Sequence, residues 1–391
     1  MIDRIGVHPV TLPMGRPFAH AGKRRTRTAS VLVSVEAGGV RGWGEGAPRR
    51  YVTGETVETV CETLAKVTPE SLNAIIDIGD FGPAMGRLAE LDLARRLGGA
   101  GRPRLAAAAA LEIALFDLIC RVHGQPGGAG LRSVPAAADL AGPVAVPTRV
   151  SLVLDLTEEP AARLALLGAD TRAAVRHVKL KATADVAGCV RRVAAVRDRL
   201  GPNVGISVDV NGDWDPDTAV RAAKLLRPLG VAWLEEPVAA RDWAAMRTVQ
   251  EAGGVPVMLD ESCSGLADLQ AAAVERAAAY VNARISKCGG IFPTVALIAA
   301  GRERGIDAQL GVHVAEVGPL WAAARLVSST VDSLVTVEAG RQDEWFPTPL
   351  TDPPYAVDRH GYLAHPLTGV GIGVIPSRAL LDAALPAIAN L

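Results

Sequence analysis

From about residue 144 onward the chain repeats one unit, a short apolar stretch followed by a helical one of ten to fifteen residues, and this alternation limits the fold more than any other feature. Strands are predicted at residues 146–154, 175–181, 204–210, 231–234, 257–259, 280–285, 307–312 and 334–337. Helices are predicted between them, over 157–167, 184–200, 216–227, 242–252, 266–276, 292–304 and 317–327. Strands that alternate with helices form βαβ units and a parallel sheet. Eight such strands, spaced by roughly 25–30 residues, fit a closed barrel over residues 144–345 better than an open doubly wound sheet. No strand is followed by a glycine-rich phosphate loop, because Lys287-Cys288-Gly289-Gly290 is too short and lacks a third glycine.

With 391 residues the chain has room for a second domain. Residues 1–130 read as an α+β unit, with strands at 5–12, 29–36 and 40–45 and a hairpin turn at Gly38-Gly39. Its helices are predicted at 55–66, 72–76, 85–97 and 105–122. Between the first two strands a polar loop, 14–28, carries His20, Lys23, Arg24, Arg25 and Arg27, cations suited to closing over an anionic substrate. A second loop, 48–54, carries Tyr51 and Thr53. Residues 346–391 are rich in loops and proline. They include a strand-like Gly369-Val-Gly-Ile-Gly-Val374, expected to return to the first domain. A formal net charge of −1 implies no polyanion-binding surface, so nucleic acid is not an expected partner. The five cysteines contain no C-x-x-C pair, which argues against a disulfide frame or a zinc site and for a reducing cytoplasm. Met1-Ile-Asp-Arg has no secretion-signal pattern, and charges interrupt the alanine-rich runs within about 18 residues, so no membrane span is expected.

The chemistry lies at the strand ends, which face the active site in a barrel. Val178-Lys179-Leu180-Lys181 ends a strand in two lysines on one face. Two neighbouring ammonium groups disfavour each other's charge, so one is expected to have a lowered pKa and to serve as a base. In order, the ends are Lys181, Asp209, Glu235, Asp260, Arg284 and His313, at intervals of 28, 26, 25, 24 and 29 residues. Any one acid alone is better explained as a helix cap, and Asp213 and Asp215 read as caps. Three acids at successive strand ends would repel one another unless a hard cation joined them, and carboxylate oxygens suit Mg²⁺.

Lys179-Leu-Lys181, Asp209-Val-Asn211, Trp233-Leu-Glu235-Glu-Pro237, Asp260-Glu-Ser262 and Ser286-Lys-Cys-Gly-Gly290 resemble the motif series of the enolase superfamily, in its muconate-lactonizing subgroup. Gly42-Trp-Gly-Glu-Gly46 and Tyr51-Val-Thr-Gly-Glu55 resemble the capping domain of that group. The resemblance implies a modified (β/α)7β TIM-like barrel under an α+β cap completed by the C-terminal tail. It implies Mg²⁺ on Asp209, Glu235 and Asp260, with Asn211 and Glu261 in support. The implied reaction removes a proton α to a carboxylate to give a stabilised enediolate, with Lys181 as base and Lys179 lowering its pKa. A homo-oligomer in the cytoplasm is also implied.

One position departs from the pattern. The subgroup has a lysine at the end of the sixth strand, and here that residue is Arg284, which stays protonated and shuttles protons poorly. Lys287, three residues on, would point to the other strand face. Three readings stand open at this stage. One is an isomerase or lyase, cycloisomerase-like, with Lys181 as single base and Arg284 as electrostatic partner. Another is a racemase or epimerase of an amino-acid or dipeptide derivative, using Lys181 and His313 from opposite faces. A third is a barrel that binds a ligand without turning it over. The substrate is expected to be a small carboxylate, met by His20, Arg24, Tyr51, Thr53 and Glu316, with the segment 338–342 contributing to specificity.

Overall fold

The computed structural model describes residues 1–20, 23–142, 150–332, 334–338, 341–358, 369–384 and 388–389. An antiparallel meander opens the chain: β1 (Arg4–His20), β2 (Lys23–Ala37) and β3 (Val40–Gly46). Gly38 and Gly39 both take positive φ, 54° and 79°, as the tight β2–β3 turn requires. The expected loop at 14–28 is instead the outer half of a two-stranded arm. After a register shift between Pro13 and Phe18, Phe18 pairs with Arg25 and His20 with Lys23. A ribbon that projects from its sheet buries neither face fully, so the apolar alternation that marks a strand is missing there.

Five helices follow: α1 (Val57–Leu64), α2 (Pro69–Asn73), α3 (Phe81–Glu90), α4 (Leu93–Gly98) and α5 (Leu105–Val122). The single helix expected at 85–97 is two helices, because Leu91 is extended and Asp92 caps α4 by accepting from the Arg95 N–H at 3.0 Å. Thr68 and Ser71 cap each other and start α2 earlier than residue 72. In α5, 15 of the 18 residues are buried, which suits a helix that is apolar all round. Its Ala106, Ala110 and Ala114 lie one turn apart and meet Gly46, Gly44 and Gly42 on one face of β3. A Cβ on any of those glycines would fall on an α5 carbonyl oxygen. Small residues on both elements let backbone pack against backbone.

The barrel strands are β4 (Leu152–Leu154), β5 (His177–Lys181), β6 (Gly205–Asp209), β7 (Val231–Glu235), β8 (Val257–Leu259), β9 (Tyr280–Arg284), β10 (Asp307–Gly311) and β11 (Leu334–Val337), all parallel and in chain order. A parallel bridge between Val150 and Val337, with the Ser151 N–H donating to the Val337 carbonyl at 2.8 Å, brings the last strand back to the first. The start of the first expected barrel strand, residues 146–149, lies outside the described residues. In β5, Val178 and Leu180 pack outward under the helices while Lys179 and Lys181 point inward, and all four are buried.

Buried acids of the N-terminal region clamp the barrel. Glu45 accepts from the N–H groups of Val317, Gly318 and Leu320 at 2.8, 2.8 and 3.2 Å, where the helix Pro319–Thr330 begins. Glu112 accepts from Ile291 and Phe292 N–H at 2.9 and 2.8 Å, at the start of the helix Ile291–Glu303. Carboxylates at helix N-termini satisfy donors that lack a partner within the helix. After β12 (Thr351–Asp352) and β13 (Ile375–Pro376), β14 (Ile388–Ala389) pairs with β1. The expected strand at 369–374 is a turn held by isolated bridges from Val370 and Gly371 to Pro126. Among the described residues no helix is long and apolar enough to cross a membrane. The five cysteines are free and buried.

Candidate active site

Parallel register sets Lys181 beside Asp209 and Asp209 beside Glu235, so the ends of β5, β6 and β7 present one lysine and two acids in a row. Asp260 follows β8 directly. Lys179 Nζ donates to Glu235 Oε1 and Glu338 Oε1, each at 2.7 Å, and lies 2.9 Å from Asp209 Oδ2. Burial alone would lower its pKa, but Asp209, Glu235 and Glu338 together drive it well above the ordinary lysine value. Three carboxylates around one ammonium outweigh burial and the nearby Arg284 guanidinium. Lys181 Nζ donates to Asp209 Oδ2 and, at 3.0 Å, to Asn211 Oδ1. Asn211 has a φ of 52° and donates to Glu261 Oε1 at 3.0 Å.

Burial opposes ionisation of Asp209, yet Lys179 and Lys181 hold its carboxyl below the usual range. Glu235 runs the other way, pushed up to about 8 by burial and then by Asp209. Arg284 Nη2 donates to Asp260 Oδ2 and lies 3.6 Å from Glu235 Oε1. Lys287 does not point away, as a continued strand would require. The chain turns helical at Ile285–Cys288, and Lys287 Nζ swings back to Asp260 Oδ1 at 2.9 Å, the Asp260 carbonyl at 2.6 Å and the Asn282 carbonyl at 2.7 Å. Formally, five carboxylates (Asp209, Glu235, Asp260, Glu261, Glu338) face four cations (Lys179, Lys181, Arg284, Lys287).

The donor chemistry fits a hard divalent cation. Carboxylates come from three neighbouring strand ends, and Glu235 Oε2 is buried without a hydrogen-bond partner. Each acid is nevertheless turned onto a cation of the chain, and among the described residues no three acidic, histidine or cysteine side chains converge as a coordination sphere.

Lys179, Lys181, Asn211, Glu261, Arg284 and Glu338 floor a cavity whose roof is the β1–β2 arm with Arg16, Phe18, His20 and Arg25, the turn with Arg49 and Tyr51, and Trp345. Arg16 reaches Asp155 at 3.2 Å and Glu344 at 3.0 Å while lying 4.1 Å over the Trp345 ring. Among the described residues, buried Arg49 donates only to neutral oxygens, including the Ala29 and Pro48 carbonyls at 3.0 and 2.9 Å, and burial followed by Arg25 pushes its pKa down to about 10. His313 also lines the cavity. Neither ring nitrogen has a hydrogen-bond partner, and burial followed by Arg284 keeps its pKa well below the ordinary histidine value.

Three expected substrate contacts lie elsewhere. Strand alternation turns Arg24 to solvent and its neighbour Arg25 inward. Thr53 is buried behind the wall, accepting from the Glu55 N–H at 3.4 Å. Glu316 accepts from the His313 N–H at 2.7 Å and does not line the cavity. Asp215 caps the helix Pro216–Leu226; Asp213 does not. Arg49 lies in the expected loop 48–54, whereas Arg16 and Trp345 were not singled out, because they reach the cavity through the packing of the N-terminal arm and tail.

Family models match most of the chain: "Mandelate racemase / muconate lactonizing enzyme, N-terminal domain" over residues 4–127 and "Enolase C-terminal domain-like" over 162–380. The chain is 28% identical to the N-succinyl-L-Arg/Lys racemase of Bacillus cereus over 80% of each chain. It is 28% identical to the chloromuconate cycloisomerase of Pseudomonas putida over 85% of each. The dipeptide epimerase of Cytophaga hutchinsonii, solved with Mg and the dipeptide D-Ala-L-Val, superposes with a TM-score of 0.82 at 20% identity, over 100% of this chain and 99% of that one. The strand-end lysines and acids, the capped barrel and these matches together make the chain an enzyme of the enolase superfamily, belonging to the mandelate racemase/muconate lactonizing enzyme family.

Proposed function

We propose that the enzyme removes a proton α to a substrate carboxylate with Lys181 as its single base, in a cycloisomerase or lyase reaction. The observation that carries this reading is the asymmetry of the cavity floor. Lys181 Nζ faces the cavity on one side, and the residue at the end of β9 is a guanidinium bonded to Asp260. A lysine can cycle between charged and neutral forms during turnover, whereas an arginine cannot. Arg284 would then hold negative charge that develops on the substrate. Mg²⁺ bound by Asp209, Glu235 and Asp260 would supply the electrostatic stabilisation that a weakly acidic carbon needs. Asn211 and Glu261 orient the Lys181–Asp209 pair, and the cations of the roof, Arg25 and Arg49, suit a second anionic group on the substrate. The same reading carries a cytoplasmic assembly of identical subunits.

A second reading, racemisation or epimerisation with His313 as the opposing base, is supported by the free ring nitrogens of His313 in the same cavity. Turnover of dipeptides, N-succinyl amino acids and muconates in D₂O separates the two. Product formation without inversion at Cα is expected. Deuterium wash-in with inversion, lost on His313→Asn, would establish the second reading instead. Lys181→Met is expected to lower kcat by about 10²–10⁴-fold while the fold persists by circular dichroism. Unchanged turnover in that variant would reject both.

A further inference from the structure

Asp260 is shared by two cations of unlike character. Lys287 is fully buried and saturated, with its Nζ on three oxygens within 2.9 Å. Arg284 lies on the cavity wall, bonds Asp260 through Nη2 alone, and leaves its buried Nε without a partner. A guanidinium is built to grip a carboxylate with two parallel donors, so Asp260 uses only half of the fork. The oxygen that Arg284 occupies, Asp260 Oδ2, belongs to one of the three acids suited to the metal. Resting on the magnesium reading above, we infer that Arg284 and the divalent cation are alternative partners of Asp260. Metal entry displaces the guanidinium from Oδ2 and turns its fork into the cavity, where it meets an anionic group of the substrate.

A substrate carboxylate on the released Arg284 would couple metal and substrate binding with the reciprocity that linkage demands. Arg284 is thus a substrate-binding residue whose availability depends on the metal.

The test uses Mn²⁺ alone as probe, its free concentration followed by electron paramagnetic resonance. Removing the competitor in Arg284→Met is expected to tighten Mn²⁺ binding by about tenfold, within the usual range of such couplings. Equal or weaker binding in a folded variant overturns the inference and leaves the metal reading intact. Should Arg284→Met not fold, crystals of the wild-type protein with Mn²⁺ decide. Arg284 Nη2 withdrawn from Asp260 Oδ2 supports the exchange, and an unbroken pair beside a bound ion overturns it. No Mn²⁺ bound by the wild-type protein or the variant at millimolar concentration overturns the functional reading as well.

Discussion

Lys287 and Arg378 show how differently a charge counts according to its surroundings. Lys287 is fully buried against Asp260, whereas Arg378 pairs with Asp382 on the surface with its side chain 88% exposed. Removing one partner of a buried pair strands the other without water, so Lys287→Met should lower the unfolding free energy by about 3 kcal/mol or more. Arg378→Ala should change it by at most about 0.5 kcal/mol. Urea denaturation of the two variants checks both values. His177 gives a pH dependence. It stacks on Trp233 at 4.7 Å and shares a hydrogen bond with Ser151 Oγ, and burial followed by Lys179 lowers its pKa to about 3. Because the folded value lies below the unfolded one, the fold favours neutral His177. Its contribution is therefore whole above pH 6.5 and is lost as the pH falls from 6.5 toward 3, at roughly 1.4 kcal/mol per pH unit at most. Denaturation midpoints measured from pH 7 to pH 4 should drop less steeply in His177→Gln than in the wild type.

At the scale of elements, the contact of β3 with α5 makes the sharpest demand. Gly42, Gly44 and Gly46 repeat every two residues and the alanines of α5 every four, so a strand period and a helix period meet along one line. A methyl group at Gly44 has nowhere to go, because its neighbours there are backbone atoms of α5 that cannot rotate aside. Gly44→Ala is expected to destabilise by about 3 kcal/mol, or to leave the protein insoluble. At Gly39 nothing lies within 4 Å and only the positive φ resists, so Gly39→Ala should cost about 1–2 kcal/mol. Thermal melts of the pair distinguish a packing limit from a backbone one; equal shifts would contradict the interlock. The β1–β2 arm is the element that sequence reading missed. Its residues alternate between cavity and solvent without alternating in polarity, since the cavity side is itself lined with arginine and histidine.

For the whole molecule, the acids at the barrel mouth and the acids that clamp the N-terminal region to it use the same chemistry to different ends. Glu45 and Glu112 are satisfied by helix N–H groups, whereas Glu235 keeps an unpartnered oxygen. On the magnesium reading, millimolar Mg²⁺ should raise the melting temperature in proportion to RT ln(1 + [Mg²⁺]/Kd), about 2.7 kcal/mol at a hundredfold excess over Kd. Asp209→Asn should abolish the rise, and differential scanning calorimetry checks both. The barrel was legible because βα units recur at near-constant spacing, which alone puts Lys181, Asp209, Glu235 and Asp260 at neighbouring strand ends. Short-range patterning also determined the long apolar helix and the glycine turn, since propensity and period act over a few residues. Tertiary structure alone decided that Lys287 turns back to Asp260, that Arg25 rather than Arg24 faces the cavity, and that Arg16 and Trp345 help to roof it. Those outcomes depend on where a strand stops, on register and on contacts between segments hundreds of residues apart, none of which a local pattern encodes.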